Sequence, residues 1–224
     1  MSLGVTLSSV SRSFDIENPE RNLFKRLVQR HIVGQKLVFR DVNLEIRPGE
    51  RLCLVGPNGS GKTTLLKLIA GLIPPDSGEI LVGGTTAYDR GAVGLMLSIE
   101  MLYPALTAYQ VLEHTAHLYH SAEPHADIER VSRLWGLEKF LDVRAGLCSN
   151  GMKARLALAR ATLPRPELLL LDEPTVFLDK EGVERLVQFL KVCPATVVLT
   201  THQPEILGKE FGRWVYVGSG GVSN

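Results

Sequence analysis

The sequence predicts an α/β fold, in which a mixed, mainly parallel β-sheet carries an antiparallel β subdomain and an inserted lobe of helices. Three patterns predict it. The runs LLLLDEP and ATVVLTTH are short and continuously apolar, which is typical of strands buried on both faces of a parallel sheet. The runs VTLSSVSRSF and LVFRDVNLEI alternate apolar and polar residues, which is typical of antiparallel strands. Between these strand-rich halves, residues from about 105 to 160 are predicted to be mostly helical.

Strands and helices alternate along most of the chain. The predicted strands are 5–14, 37–46, 50–55, 79–82, 92–97, 168–172, 196–200 and 214–217. The predicted helices are 61–72, 108–119, 126–135, 151–163 and 180–191. Pro74, Gly136 and Pro164 follow the first, third and fourth helices, and Thr107 with Gln110 forms a capping box at the start of the second. We therefore expect the helical lobe to be inserted into one core.

Composition limits the classes of protein to which the chain can belong. Its 224 residues are 45% hydrophobic and 22% charged, so we expect a single domain over residues 1–224 and exclude a disordered or coiled-coil chain. Lys and Arg number 25 against 24 Asp and Glu, so no overall positive charge favours nucleic-acid binding. The three cysteines form no CxxC pair, which argues against a zinc ribbon. Without a signal peptide or a run of about 18 apolar residues, we expect a chain that is soluble by itself.

A glycine-rich loop lies between a predicted strand and a predicted helix. Residues 56–63, GPNGSGKT, match the pattern GxxxxGK[ST] and predict a P-loop NTPase core; a glycine-rich turn without a ligand is the alternative. Backbone N–H groups of such a loop turn toward one anion, Lys62 reaches the β- and γ-phosphates of a nucleotide, and Thr63 offers a hydroxyl to Mg²⁺. The predicted nucleotide-binding residues here are Gly56, Pro57, Asn58, Gly59, Ser60, Gly61, Lys62, Thr63 and Thr64.

Two acidic residues and a histidine follow buried strands. Asp172 is suited to hold Mg²⁺ through water, and Glu173 is placed to take a proton from an attacking water. His202 follows the next buried strand, where its imidazole would contact the γ-phosphate and that water. For each feature taken alone, the alternative is structural: two acids that merely end a strand, and a histidine that only packs.

A segment at the start of the fourth predicted helix completes a family pattern. CSNGMK, residues 148–153, resembles the signature segment LSGGQ of the ATP-binding cassette (ABC) family. The order phosphate loop, LYPALT, signature, LLLLDEP, VFLD and His202 is also that family's order, and it covers nearly the whole chain. The resemblance implies a head-to-tail dimer, in which Ser149 and Gly151 of one subunit close over the ATP held by the other. It also implies that Asp179, at the end of VFLD, belongs to the nucleotide site.

One aromatic residue agrees with the family pattern, and three features depart from it. Phe14 lies where the family stacks an aromatic ring on adenine, with a core phenylalanine as the alternative. Asn150 and Met152 replace the usual Gly and Gln of the signature. Ser98 stands where the family has a metal-touching glutamine, so it is a candidate Mg²⁺ contact that we expect a water to replace. Residues 15–36 form a long insertion, for which we predict a basic amphipathic helix that contacts a membrane partner, lipid or the chain's own surface.

The resemblance implies the ATP-hydrolysing subunit of an ABC transporter. The implied ligands are ATP and Mg²⁺, and the implied partners are a second copy or a related subunit and an integral membrane permease, which would hold the subunit at the cytoplasmic face of the membrane. The SxGM signature and the basic insertion resemble ATPases of polysaccharide and teichoic-acid exporters, which favours export of a polysaccharide, glycolipid or similar amphiphile. The alternative is a soluble ABC ATPase acting on DNA or ribosomes. A P-loop kinase or GTPase does not account for the SxGM helix or His202.

Overall fold

The computed structural model describes residues 2–17, 32–86, 92–207, 212–218 and 220–223. Within these ranges the strands are β1 (Val5–Glu17), β2 (Ile32–Ile46), β3 (Arg51–Val55), β4 (Ser77–Val82), β5 (Val93–Met96), β6 (Leu168–Leu171), β7 (Thr196–Thr201), β8 (Arg213–Gly218) and β9 (Gly221–Ser223). The α-helices of the same ranges are α1 (Lys62–Ile69), α2 (Ala108–Leu118), α3 (Pro124–Trp135), α4 (Asn150–Thr162) and α5 (Lys180–Val192).

The central sheet has the strand order β5-β6-β7-β3-β8-β9. Its strands are parallel from β5 to β8, and the short β9, which the sequence did not predict, is antiparallel to β8. All residues of β6 and β7 are buried, because helices and the second sheet leave neither face to solvent. The prediction of a mainly parallel sheet built on these two apolar runs is confirmed.

A second, three-stranded sheet has the order β2-β1-β4 and is antiparallel throughout. Its inner face carries Val5 and Leu7, which are buried, while Thr6 between them is exposed. The two sheets meet where the Arg40 N–H donates to the Gly220 carbonyl, 2.9 Å away. This sheet is the predicted antiparallel subdomain, since apolar and polar residues alternate along its strands.

The β1–β2 hairpin is longer than predicted. Asp15 pairs with Gln35 and Ile16 with Gly34, so both ends of the expected insertion at residues 15–36 continue the strands. The predicted strand ends at 14 and 37 are therefore wrong, because cross-strand pairing extends a strand through residues whose local pattern is not strand-like. The predicted amphipathic helix lies mostly in residues 18–31, which are outside the described residues.

The helical lobe consists of α2, α3 and α4. Trp135 of α3 is fully buried, and its indole N–H donates to the Thr162 hydroxyl of α4 over 2.9 Å. Leu112, Ile128 and Leu156 belong to the same apolar cluster as residues of β6 and β7. The lobe and the central sheet thus share one apolar cluster. No helix among the described residues is long and apolar enough to cross a membrane.

The capping box at the start of α2 generates a stability prediction. The Gln110 N–H donates to the Thr107 hydroxyl, and the Gln110 side chain accepts from the Thr107 N–H over 2.9 Å. Thr107→Ala is expected to lower the free energy of unfolding by about 1 kcal/mol, because one helical N–H loses its acceptor. Urea denaturation followed by circular dichroism measures this loss, and Thr107→Ser, which keeps the hydroxyl, is the control. Equal losses in both variants would contradict the capping role.

Candidate nucleotide site

The loop between β3 and α1 has a backbone that only glycine fits at two positions. Gly56 has φ 154°, and a Cβ there would lie 2.2 Å from the Val217 carbonyl oxygen. Gly61 has φ 107°, and its Cβ would meet the Phe39 ring at 2.7 Å. The loop therefore follows a tight path across the edge of the central sheet. Gly61 is the N-cap of α1 and no side chain caps the helix, so the N–H groups of its first turn remain available to an anion.

Lys62 brings a buried positive charge into this loop. Its side chain is 6% exposed, and the ammonium donates to the carbonyl oxygens of Gly56 at 2.8 Å and Pro57 at 3.2 Å. The Ser60 hydroxyl beside it is buried and has no hydrogen-bond partner among the described residues. A buried cation and an unpaired hydroxyl within one loop fit a phosphate, which supplies acceptors for both.

Asp172 lies directly after β6 and is held by two hydroxyls. The Thr63 hydroxyl, in the first turn of α1, donates to Asp172 Oδ2 over 2.6 Å. The Thr200 hydroxyl donates to Asp172 Oδ1, also over 2.6 Å. A threonine oxygen and a carboxylate are the hard oxygen donors that Mg²⁺ prefers. Thr63 and Asp172 thus fit a magnesium ion, with Asp172 able to bind it through water.

Glu173 follows in a conformation that is uncommon for a residue with a side chain. Its φ is 47°, in the left-handed region. Its carboxylate contacts His202 twice: Oε2 lies 2.8 Å from Nδ1 and accepts from the backbone N–H at 3.2 Å. Oε1 lies 3.7 Å from the Lys62 ammonium. Burial, together with the charge of Glu173, raises the pKa of the Cys53 thiol to about 12, so this neighbour stays neutral.

A cavity of about 300 Å³ connects these groups. Phe14 lines one side of it and is 38% exposed, so it is not a core residue. The Arg12 guanidinium lies 4.8 Å from the centre of the Phe14 ring and pairs with Asp76 at 2.7 Å. The cavity brings together many of the residues that the sequence predicts for the site, namely Phe14, Asn58, Gly59, Gly61, Lys62, Thr63, Thr64, Asp172 and Glu173.

Eight other predicted residues do not line this cavity: Gly56, Pro57 and Ser60 of the same loop, His202 beside Glu173, and four residues of other segments. Ser149 is exposed at the start of α4, where its hydroxyl accepts from the Met152 N–H over 3.2 Å, and Gly151 lies in the same turn. Asp179 is the N-cap of α5 and accepts from the Gly182 N–H over 2.9 Å. The Ser98 hydroxyl accepts from the Glu100 N–H over 3.1 Å and faces a different cavity.

Two positions with clear structural roles at the site had no assignment from the sequence. Arg155 donates to both carboxylate oxygens of Asp179, at 2.6 and 2.7 Å, and this contact together with the Gly182 N–H holds the pKa of Asp179 below its ordinary value. Thr200 joins Asp172 to Glu173. Two features of the sequence could have indicated these roles. Arg155 is an arginine among the small, apolar residues of α4, and Thr200 is a hydroxyl residue near the end of the apolar strand β7.

Comparison with known proteins identifies the same family as the sequence motifs do. The family model described as "ABC transporter" matches residues 39–176. The uncharacterized ABC transporter ATP-binding protein YdbJ of Bacillus subtilis (strain 168) is 35% identical over 179 residues, covering 76% of this chain and 58% of YdbJ. The cytochrome c biogenesis ATP-binding export protein CcmA of Pseudomonas putida (strain GB-1) is 41% identical over 175 residues, covering 75% of this chain and 83% of CcmA.

A solved structure extends the similarity over the whole fold. The ATP-binding cassette MJ0796, in a dimeric post-hydrolysis state bound to ADP and Pi, superposes with a TM-score of 0.83 at 25% identity. The match covers 98% of this chain and 97% of MJ0796. The order of the strands, the phosphate loop and the family model all agree, so the chain belongs to the ABC transporter family, as an ATP-binding domain.

Proposed function

We propose that this chain binds and hydrolyses Mg-ATP and drives a separate integral membrane permease. The observation that carries the proposal is the cavity lined by Lys62, the Thr63–Asp172 pair and Glu173, whose carboxylate is held from outside the cavity lining by His202. Thr63 and Asp172 would hold Mg²⁺, which supplies positive charge beside the phosphate oxygens when it is bound.

Glu173, His202, Lys62 and Phe14 each have a role in the binding or hydrolysis of ATP. Glu173 accepts a proton from the attacking water, and His202 keeps the Glu173 carboxylate in place through its ring nitrogen and its backbone N–H. Lys62 and the first N–H groups of α1 stabilise the negative charge that grows on the transferred phosphoryl group. Phe14 stacks against the adenine ring through the part of its surface that is open to the cavity.

We further propose that two copies, or this chain and a related subunit, enclose ATP head to tail. The start of α4 supports this arrangement: Ser149 and Asn150 are exposed and do not line the chain's own phosphate cavity. The positive end of a helix dipole favours an anion, so this exposed end of α4, which Ser149 caps, is suited to the ATP of the partner. The dimeric state of MJ0796 with ADP and Pi is the corresponding assembly in a similar protein.

The proposed contact with the permease lies beside Ser98. A cavity of about 530 Å³ there is lined by residues of the 98–104 segment, the start of α4 and Phe177. Leu147 nearby is 79% exposed, and Met101 and Tyr103 are about half exposed. Exposed apolar side chains around a groove fit a protein partner. Through this contact the subunit would lie on the cytoplasmic face of the membrane.

We propose export as the direction of transport, with a polysaccharide, glycolipid or similar amphiphile as the cargo. The support is the SxGM form of the signature and the basic residues between 20 and 36. The curated relatives include both directions by name, since one similar protein is a Nod factor export ATP-binding protein and another is a phosphonates import ATP-binding protein. The chain spans 58% of the length of YdbJ and of the linearmycin resistance ATP-binding protein LnrL.

The first prediction of the proposed function concerns Glu173 as the general base. Glu173→Gln is expected to keep ATP binding and to lower turnover by about 100-fold or more, because the amide fits the site but cannot accept a proton. Steady-state ATPase measurements and gel filtration with Mg-ATP check this, and a dimer that persists is the expected result. Glu79→Gln, which changes an exposed carboxylate of β4, is the matched control. Turnover of Glu173→Gln near the wild-type rate would refute the role of Glu173 as the base.

A second prediction separates Ser98 from the metal site. Ser98→Ala is expected to change turnover by less than about threefold, because among the described residues the hydroxyl makes one hydrogen bond, which it accepts from the Glu100 N–H in an exposed turn. Thr63→Val removes a metal-binding hydroxyl and is expected to be far more damaging. Both are measured as ATPase rates on the complex with the permease. Equal damage would mean that Ser98 is a direct ligand of the metal.

A third prediction tests the permease contact. Leu147→Glu is expected to reduce co-purification of a multispanning membrane protein from a detergent extract, because the charge would have to be buried in the contact. Val192→Glu at the end of α5 is the matched control, since Val192 is also 79% exposed. Retention of the membrane protein by Leu147→Glu would place the contact elsewhere. Recovery of DNA or ribosomes in its place would support the soluble ATPase alternative.

A further inference from the structure

A buried hydroxyl connects the two acidic residues of the site. Thr200, the penultimate residue of β7, is 0% exposed. Its Oγ1 donates to Asp172 Oδ1 over 2.6 Å and accepts from the Glu173 N–H over 2.9 Å. Both contacts are well within hydrogen-bond range and are partly buried, and the packing around the buried Thr200 restricts their geometry.

The direction of these two hydrogen bonds is determined by chemistry. An ionised carboxylate only accepts hydrogen bonds and a backbone N–H only donates. The single proton of the Thr200 hydroxyl must therefore point at Asp172, and a lone pair must face Glu173. A serine can make the same pair of bonds, whereas valine and alanine can make neither.

The first effect of this bridge is on the orientation of Asp172. Because Thr200 takes Oδ1, the other oxygen, Oδ2, is the one that faces Thr63 Oγ1 at 2.6 Å. The Asp172 N–H is held as well, by the Met96 carbonyl at 2.7 Å. The carboxylate is thus oriented with one oxygen in the protein interior and the other toward the proposed metal.

The second effect is on Glu173. A left-handed φ of 47° is unfavourable for a residue with a Cβ, so it persists only where surrounding contacts hold it. The bond from the Glu173 N–H to Thr200 is such a contact. Loss of this bond would free the backbone at Glu173 and shift its carboxylate away from His202 and the proposed position of the water.

From these contacts we propose that Thr200 is a positioning residue for ATP hydrolysis, which orients Asp172 toward the metal and holds Glu173 in its strained conformation. The inference rests on the proposed function and adds a residue to it. It separates binding from turnover, because Thr200 does not line the cavity, and the hydrogen bonds of its hydroxyl among the described residues go to Asp172 and Glu173. Its loss should therefore change the chemical step much more than the affinity for ATP.

The neighbouring threonine provides a matched control. Thr201 is also fully buried, and its hydroxyl accepts only from the Gln203 N–H, at 3.0 Å, among the described residues. Thr201→Val and Thr200→Val remove the same atoms from adjacent positions of one strand. A general effect of losing a buried hydroxyl would appear in both variants.

The test compares Thr200→Val, Thr200→Ser and Thr201→Val in ATPase assays over a series of Mg²⁺ concentrations. Thr200→Val is expected to lower kcat by about 10- to 100-fold, as displacement of reacting groups does, with KM for ATP within about twofold. Its half-saturating Mg²⁺ concentration should rise. Thr200→Ser is expected to recover activity to within about threefold, because it restores both hydrogen bonds. Binding of a fluorescent ATP analogue without Mg²⁺ should be alike in all three variants and confirms that they are folded.

The outcomes distinguish the inference from the function on which it rests. A wild-type protein that binds ATP without hydrolysing it would overturn the proposed function and the inference with it. Wild-type turnover together with an unchanged kcat in Thr200→Val, or with an equal loss in Thr201→Val, would overturn the inference alone. If Thr200→Val does not fold, Thr200→Ala and Thr200→Ser carry the same comparison: equal activity in these two would also overturn the inference.

Discussion

The parallel pairing of three neighbouring strands determines where the phosphate loop, the two acidic residues and His202 lie. β7 pairs with β3 on one side and with β6 on the other, with Val55 beside Thr201 and Leu171 beside Leu199. Because parallel strands end at the same edge of a sheet, the phosphate loop after β3, the acids after β6 and His202 after β7 converge there. The pairing depends in turn on burial of both faces of these strands. Apolar residues that take part in no chemistry thus set the distances between those that do.

The electrostatics of the site follow from this convergence. Lys62 places a buried ammonium at the uncapped start of α1, and no acidic residue lies in the first turn of that helix. Glu173 approaches this ammonium at 3.7 Å. Positive charge therefore collects where a phosphate would bind, while a carboxylate remains close to the same place. The two sit side by side because they come from different strands of one sheet, and local sequence could not bring them together.

The helical lobe is joined to the core by a few specific polar contacts as well as by apolar packing. Arg155 of α4 pairs with Asp179, the N-cap of α5, so the start of the signature helix is connected to the segment that follows β6. Within the lobe, the hydrogen bond from the Trp135 indole N–H to the Thr162 hydroxyl connects α3 to α4. These contacts fix the direction in which the exposed N-terminus of α4 points. The surface that we propose for a second subunit is therefore built from both parts of the molecule.

The sequence by itself determined the features that depend on residues a few positions apart. These are the apolar strands β6 and β7, the capping box at Thr107, the glycine-rich loop before α1 and the order of motifs along the chain. The tertiary structure decided the features that join distant residues. The β1–β2 hairpin is longer than predicted because Asp15 pairs with Gln35. Strand β9 forms because Gly221–Ser223 pair with β8. Thr200 reaches Asp172 across 28 positions of sequence, and hydrogen bonding of this kind has no local pattern, since it exists only once packing has brought the two strands together.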